Sequence, residues 1–344
     1  MTAVSEAAVE SLLVKGLRNV WYPICPSTFV TDKPVSLRRL GYRMVLWREL
    51  DGTVNALEDH CPHRGAPLSR GIVMGDRIAC GYHGVQVDKH GVAVAVPGSP
   101  GCRLEGMQCT KVFPIQEAHG VIFAYVGDAL HKDPVPLSFP EELTLPEFSS
   151  FLCYAEWGGD YRYVYDNVMD PMHGTFLHKQ SHSMSFGETT AKFQVRETDT
   201  GFIFEKVGQR NVNFDWTEWG ETGIHWLRLE IPYPSTGGPG GNFHIVGMYT
   251  PINEHMAAIF HWRCRKVTGW QRDTWRFLYK NRLEARHWAV LEQDRVMLED
   301  FEPDAWKREI LYQHDMGLVR LRRHLRGKAE AQLTALGNAG LAAA

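Results

Sequence analysis

A chain of 344 residues with 44% hydrophobic and 22% charged residues exceeds the usual size of one core, so two domains, or one large domain with a satellite, are predicted, and a disordered or membrane class is excluded. A formal charge of −3 leaves no general electrostatic footprint for nucleic acid, and no run of about 18 apolar residues offers a bilayer span. Glu6 and Glu10 stand where a secretory signal needs a basic start and an unbroken apolar stretch, so a cytoplasmic protein is expected.

In chain order, residues 1–19 form an N-terminal segment. From Val20 the sequence runs through short β-rich stretches, Tyr42 to Arg48, Val54 to Leu57, Val85 to Val87 and Val121 to Val126, with glycines from Gly65 to Gly106 breaking the middle. This predicts a small β domain with long loops over 20–130. Pro134, Pro136, Pro140 and Pro146 mark 131–150 as a connecting segment. A larger domain is expected over 151–328. It has helical spacing at Asp160 to His178 and β runs at Ala191 to Val195, Phe202 to Val207, Ile224 to Ile231, Phe243 to Thr250 and Ala257 to Cys264. Helices are expected within Gly269 to Phe301 and over Arg308 to Arg326, with a tail at 329–344. The loop Pro232 to Gly241, with four Gly and three Pro, is expected to be flexible. The basic cluster Arg320 to Lys328 reads as the exposed face of a terminal helix, with a docking patch as the lesser reading. No internal repeat is visible. The fold class is therefore α+β, a small β domain followed by a domain with a sheet and helices.

Seven cysteines, an odd count in a chain expected to be cytoplasmic, argue against a disulfide framework and point to ligation or burial. Cys61-Pro-His63 and Cys80-Gly-Tyr-His83 form two ligand pairs with sixteen residues between them, each in a loop rich in Gly or Pro. Zinc accepts such a donor set, although zinc pairs usually sit further apart than Cys-x-His. Cys25, Cys102, Cys109, Cys153 and Cys264 lack partners at useful spacing and are expected as small buried hydrophobes. A second constellation runs Asn167-Val-Met-Asp170-Pro-Met-His173-Gly-Thr-Phe-Leu-His178. Its histidines are five apart, one more than a helical turn favours, so the helix must distort or end, and Pro171 and Gly174 are the expected break. Two His and one carboxylate form the facial arrangement that leaves positions open on Fe(II). The acid must lie downstream, where LEQDRVMLED offers Glu292, Asp294, Glu299 and Asp300.

The stretches CPHRGAPLSRG and CGYHG resemble the two loops of a Rieske [2Fe–2S] domain. The resemblance implies Cys61 and Cys80 on one iron and His63 and His83 on the other, the imidazoles raising the cluster potential above that of an all-Cys ferredoxin. Gly65, Gly81 and Gly84 permit the tight loops, whose backbone N–H groups can serve the sulfurs. Ala66 stands where respiratory members carry a disulfide cysteine, as in the soluble oxygenase branch. Downstream, N-x-x-D-x-x-H-x-x-x-x-H resembles the catalytic domain of Rieske oxygenase α-subunits, so the chain is similar to that family from about Val20 to about Asp300. The resemblance implies His173, His178 and Asp294 as ligands of a mononuclear Fe(II). It also implies that Asp170 hydrogen-bonds toward a ligand histidine and, across a subunit boundary, toward a Rieske histidine, in a head-to-tail homotrimer.

Single-subunit-type members suggest monooxygenation of a small aromatic compound, by hydroxylation or O-demethylation with O2. The runner-up is ring cis-dihydroxylation. A pure electron carrier would end near Asp128 and leave His173, His178 and Asp294 without purpose, and a hydrolase would leave the cluster without one. No G-x-G-x-x-G follows a strand, so electrons are expected from a separate NAD(P)H-dependent reductase, directly or through a ferredoxin. His225, His244, His261 and His287 are expected as hydrogen-bonded core residues, with His244 and His261 on strands able to line a pocket. Arg210, Arg228, Arg263 and Lys206 are alternative partners for a substrate carboxylate, and the sequence does not choose among them.

Overall fold

The structure, a computed structural model, describes residues 4–181, 184, 187–233, 241–302 and 304–340. Within the loop Pro232 to Gly241, residues 234–240 lie outside the described residues, and with them the expectation of flexibility. The chain divides into two units, one formed by Trp21–Pro134 and the other by the residues before and after it.

The Trp21–Pro134 unit is all β. Its strands are β1 (Val20–Pro26), β2 (Val35–Arg39), β3 (Tyr42–Arg48), β4 (Val54–Glu58), β5 (Ile72–Val73), β6 (Arg77–Ala79), β7 (Gln86–Asp88), β8 (Ala93–Ala95), β9 (Ile115–Ala118) and β10 (Val121–Val126). They form three small sheets, ordered β1-β10-β9, β2-β3-β4 and β5-β6-β7-β8. The run Met44-Val-Leu-Trp47 in β3 lacks polar alternation because both faces are covered. Met44 and Leu46 pack with Ile122 and Ala124, while Val45 and Trp47 point the other way, into a cluster with Leu57, Leu68, Ile78 and Val85. That second cluster ends on Cys61 and Cys80, so the apolar core of the domain is the floor on which their thiols stand.

The other unit holds one antiparallel seven-stranded sheet. Its strands are β11 (Phe148–Gly158), β12 (Phe193–Glu197), β13 (Gly201–Lys206), β14 (Trp216–Glu221), β15 (His225–Tyr233), β16 (Gly241–Asn253) and β17 (Met256–Lys266), in the order β11-β17-β16-β15-β14-β13-β12. Helices α1 (Glu6–Lys15), α2 (Glu141–Thr144), α3 (Tyr161–Met169), α4 (His173–Leu177), α5 (Gly269–Leu278), α6 (Glu284–Glu299) and α7 (Met316–Asn338) accompany it, with a π-helical turn, Tyr279–Leu283, joining α5 to α6. This is the expected α+β architecture. Two strands escaped the sequence reading, β11, which begins inside the expected connecting segment, and β14, whose Glu218 is buried and accepts from Arg228 Nε at 2.7 Å. The expected tail at 329–344 needs correction, because α7 continues through it to Asn338. Leu318, Leu321, Leu325, Ala329, Leu333 and Leu336 form one buried stripe at helical spacing, and the stripe carries the helix past the expected boundary.

Four cations of the basic cluster on α7 are paired within the chain. Arg320 pairs with Glu197 at 3.2 Å, Arg322 with Asp166 at 2.6 Å, and Arg326 and Lys328 with Glu6 and Glu221. These pairs tie α7 to α1, α3 and the sheet, which removes the reason to read a docking patch there. Among the described residues no helix is long and apolar enough to cross a membrane.

Candidate metal centres

In the smaller unit, two loops repeat one hydrogen-bonding pattern. Cys61 N–H donates to Ala66 O and Gly65 N–H to Cys61 O, at 2.8 and 2.9 Å; Cys80 N–H donates to Val85 O and Gly84 N–H to Cys80 O, again at 2.8 and 2.9 Å. Each turn closes on a glycine in the left-handed region, Gly65 at φ 75° and Gly84 at φ 73°, where a side chain costs about 1–2 kcal/mol. Gly81 is needed for a different reason, since a Cβ there would lie 2.5 Å from Arg70 O. The result places two buried, unpaired thiols together and two exposed imidazoles together. The His63 and His83 rings are 4.7 Å apart at 71°. Burial pushes the Cys61 thiol up to about 11, while backbone N–H groups of His63 and Arg64 donate to its sulfur and favour the thiolate. Two soft anionic donors on an apolar floor, facing two neutral donors at the rim, fit a cluster with one buried and one exposed iron.

In the larger unit, α3 starts at Asp160, whose side chain accepts from Arg162 N–H, and ends at Asp170, with the chain breaking over Asp170-Pro171-Met172. Pro171 therefore acts as expected. Gly174 does not, because it lies inside α4, and its smallness serves packing instead: a Cβ would be 3.0 Å from Met184 Cε and 3.5 Å from Phe214 Cδ1. His173 opens α4 and His178 follows its last residue.

Asp294, on the buried stripe His287, Leu291, Asp294 and Leu298 of α6, meets both rings. His178 Nε2 is 3.3 Å and His173 Nε2 3.6 Å from Asp294 Oδ1, and the three donor atoms lie within 4.8 Å of one another. Both Nδ1 atoms face pure acceptors, His173 toward Asp170 O at 2.5 Å and His178 toward Gln293 Oε1 at 2.9 Å. Each Nδ1 must therefore donate, which turns both Nε2 atoms toward the same carboxylate. A proton on one ring or a bound cation has to supply the positive charge among them. A proton on one ring serves only one of the two Nε2 atoms, whereas one divalent ion serves all three groups, and donors about 2.1 Å from an ion at right angles lie about 3 Å apart. Asn167 Nδ2 donates to Asp294 Oδ1 at 3.2 Å and orients the carboxylate. Burial pushes Asp294 up, but hydrogen bonding from His178 and the charge of His173 hold it below the usual range.

Asp170 reaches His173 through its backbone carbonyl; its carboxylate accepts from Met172 N–H at 2.7 Å. Asn167, Asp170 and His173 border an open recess of about 950 Å³. Gln293 was not singled out from sequence. Glu292 and Asp300 are exposed, as expected of a solvated face. His225, His244, His261 and His287 stay outside the metal group: His244 Nδ1 is 3.2 Å from Glu142, and His261 Nε2 is 2.7 Å from Tyr249 Oη. Of the other cysteines, Cys25, Cys153 and Cys264 are buried, whereas Cys102 and Cys109 are only half-buried.

Residues 20–114 match the Rieske [2Fe-2S] domain, and residues 157–331, just over half the chain, match the vanillate O-demethylase oxygenase C-terminal domain. The chain is 36% identical over 164 residues to the vanillate O-demethylase oxygenase subunit of Pseudomonas sp. (strain HR199 / DSM 7063), a match covering 48% of this chain and 46% of that protein. The chain thus spans about half the length of the curated relatives it matches. Among solved structures, dicamba monooxygenase bound to 3,6-dichlorosalicylic acid superposes with a TM-score of 0.70 at 21% identity, covering 92% of this chain and 98% of that one. The reduced complex between oxygenase and ferredoxin in carbazole 1,9a-dioxygenase gives 0.75 at 22% identity, covering 96% and 95%. At these identities the two structures speak to the fold.

Proposed function

This chain belongs to the Rieske non-haem iron oxygenases, with a Rieske [2Fe–2S] domain and an oxygenase domain of the vanillate O-demethylase type, and we propose that it is the terminal oxygenase of a multicomponent system that monooxygenates a small aromatic compound by hydroxylation or O-demethylation. Membership answers the zinc reading of the Cys–His pairs, and the second domain answers the reading of a lone electron carrier. The observation that carries the proposal is the convergence of two Nε2 atoms and one carboxylate oxygen with no donor of their own, in a chain that also presents paired thiols and paired imidazoles.

In this reading Cys61, Cys80, His63 and His83 hold the cluster, and His173, His178 and Asp294 hold the mononuclear iron. When bound, these groups supply the electrons and the open positions at which O2 is used. The protein's own part is orientation and exclusion of water. Asp170 O and Gln293 fix the imidazole tautomers, Asn167 fixes the carboxylate, and His178, 1% exposed, keeps its side of the site dry. Asp170, beside the open recess, is the residue proposed to bridge to the cluster of a neighbouring subunit, in a head-to-tail ring of copies proposed as a homotrimer. Electrons come from a separate NAD(P)H-dependent reductase. A ferredoxin intermediary is supported by the carbazole dioxygenase relative, whose oxygenase was solved with one. Seven cysteines that all remain unpaired suit the cytoplasm.

A single turnover of reduced, iron-loaded protein with O2 and a panel of methoxylated and unsubstituted aromatics, read by mass spectrometry, tests the proposal. Formaldehyde release or gain of one oxygen is expected. Gain of two oxygens and two hydrogens would replace monooxygenation by ring cis-dihydroxylation, and no O2-dependent product from any compound would overturn the aromatic assignment.

A further inference from the structure

The structure separates the four cations that the sequence left equivalent. Arg228 Nε lies 2.7 Å from Glu218 and its Nη1 3.2 Å from Glu142. Arg210 sits 3.3 Å from Glu205, and Lys206 sits 3.0 Å from Asn213 Oδ1 and 3.9 Å from Asp215. Arg263 has no carboxylate within ion-pair reach among the described residues, although it is only 3% exposed. Its Nη2 donates to the backbone carbonyl of His287 at 3.2 Å, and its Nε has no partner. A guanidinium with no anion beside it in the interior is costly. Such a group is a candidate contact for an anionic ligand.

Its surroundings repeat the deficit. His261 precedes Arg263 by two on β17, so both side chains leave the same face of the sheet. His287 comes from α6 opposite. Both rings are buried, and the Nδ1 of each lacks a hydrogen-bond partner. Aromatic and aliphatic groups surround these side chains, with the Phe243 ring 4.6 Å from that of His287 and Ile245 and Phe151 in register beside Arg263 on the neighbouring strands. Arg265, further along the same face, shares part of this deficit, since its Nη2 also lacks a partner, but its guanidinium lies over the rings of Tyr233 and Trp275, at 5.9 and 5.4 Å, and it borders a recess shared with Glu141 and Glu230, away from the metal group.

The position relative to the metal group is set by α6. His287 and Asp294 lie on one buried stripe two turns apart, about 10 Å along the axis. That is the reach of a benzoate carrying one substituent. His261 feels both ends: burial and the charge of Arg263 push its imidazole down, to about 3, while Asp294 draws it up.

We propose that Arg263, flanked by His261 and His287, is the carboxylate-recognition group of the substrate site, and that the substrate is an aromatic carboxylate lying between Arg263 and the His173, His178 and Asp294 group. The assignment rests on the oxygenase reading for its metal end and on Arg263 for its anionic end. The free Nε and a terminal nitrogen offer the two-point fork that a carboxylate accepts.

Equilibrium dialysis of the iron-loaded protein with meta-methoxybenzoate and its neutral twin meta-methoxybenzamide tests it without turnover. The acid should bind at least about tenfold more tightly than the amide. Arg263→Gln should lower affinity for the acid on the order of 100-fold and leave the amide nearly unchanged, and Arg263→Lys should recover part of the preference. Equal binding of acid and amide to the unaltered protein, binding of neither, or an acid preference that survives in a folded Arg263→Gln would overturn the proposal. The wild-type comparison holds even if the variants fail to fold. Formaldehyde release from a neutral methoxyarene with no preference for acids would sink the carboxylate site and keep the oxygenase. A clear acid preference in dialysis with no O2-dependent product would do the reverse.

Discussion

Replacing Gln293 by Met removes one acceptor and little volume. Its Oε1 receives the Nδ1–H of His178 at 2.9 Å, and His178 is 1% exposed, so water cannot take over. An unpaired buried N–H costs about 1–3 kcal/mol. The ring escapes that cost by moving the proton to Nε2, the nitrogen that faces Asp294 and must be bare to ligate. Metal binding then has to reverse the exchange. The expected loss is about 10- to 100-fold in metal affinity, the range found for such orienting partners, and at about 1.4 kcal/mol per decade this matches the cost of the lost bond. Anaerobic titration of Fe(II) or Co(II) into iron-depleted protein, followed calorimetrically, measures it, and visible absorbance of the cluster serves as an internal control. Gln293→Glu keeps an acceptor and should stay within a few-fold of wild type. Undiminished affinity in Gln293→Met, or equal losses in Met and Glu variants, would refute the reasoning.

Asp170→Asn keeps an acceptor for Met172 N–H, so iron and cluster content should hold while steady-state turnover falls on the order of 100-fold, the lower range for loss of a proton-handling group; normal turnover would remove the bridging role. Burial pushes the Glu221 carboxyl up, but the nearby His225 and hydrogen bonds from His324 and Lys328 hold it well below the usual range. Its folded value is depressed, so its stabilisation is present above the unfolded value near ~4.3 and is lost as pH falls below it; Glu221→Gln should flatten the acid limb of a stability-versus-pH curve, and an unchanged limb would contradict this. Gly84→Ala puts a Cβ at φ 73°, 3.4 Å from Pro97 Cγ, and should lower the unfolding free energy of the smaller unit by about 1–2 kcal/mol, visible as earlier loss of cluster absorbance on heating.

What was legible in the sequence was local. Each Cys–His pair sits within a few residues of the glycine that closes its turn, and the Asp170, His173 and His178 spacing is readable as a broken helix, because these groups meet within one loop or one helical break. Asp294 needed the family resemblance, since nothing near it in sequence announces which acid of LEQDRVMLED turns inward. Position on α6 decides that: Asp294 shares the stripe of Leu291 and Leu298, and Glu292 does not. Gln293 was hidden for the same reason. β14 was missed because alternation fails when both faces are covered and the acid within it is paired across the sheet. Among the four cations, sequence reads charge but not partners. Arg228 meets Glu218 on the neighbouring strand and Glu142 on α2, and Arg263 meets no such acid among the described residues.

Gly174 puts the two ways of reading this site in opposition. Read from spacing, it is a helix breaker that lets His173 and His178 converge; alanine there should extend the helix, swing the rings apart and abolish metal binding. In the structure it lies within α4 at an ordinary φ, and the convergence comes from the break at Pro171 and from the end of α4 at Leu177. Alanine then gains up to about 1 kcal/mol of helix propensity. Against this stand a 3.0 Å approach to Met184 Cε, the mobile tip of a flexible side chain, and an ordinary 3.5 Å contact with Phe214, whose ring packs edge-on to His173 at 5.8 Å. Met184 can turn aside. The expected outcome for Gly174→Ala is a stability within about 1 kcal/mol of wild type and a metal affinity changed less than tenfold, by thermal melt and metal titration. A folded variant that no longer binds metal would show that helix breaking at Gly174, and not the break at Pro171, brings the two ligands together.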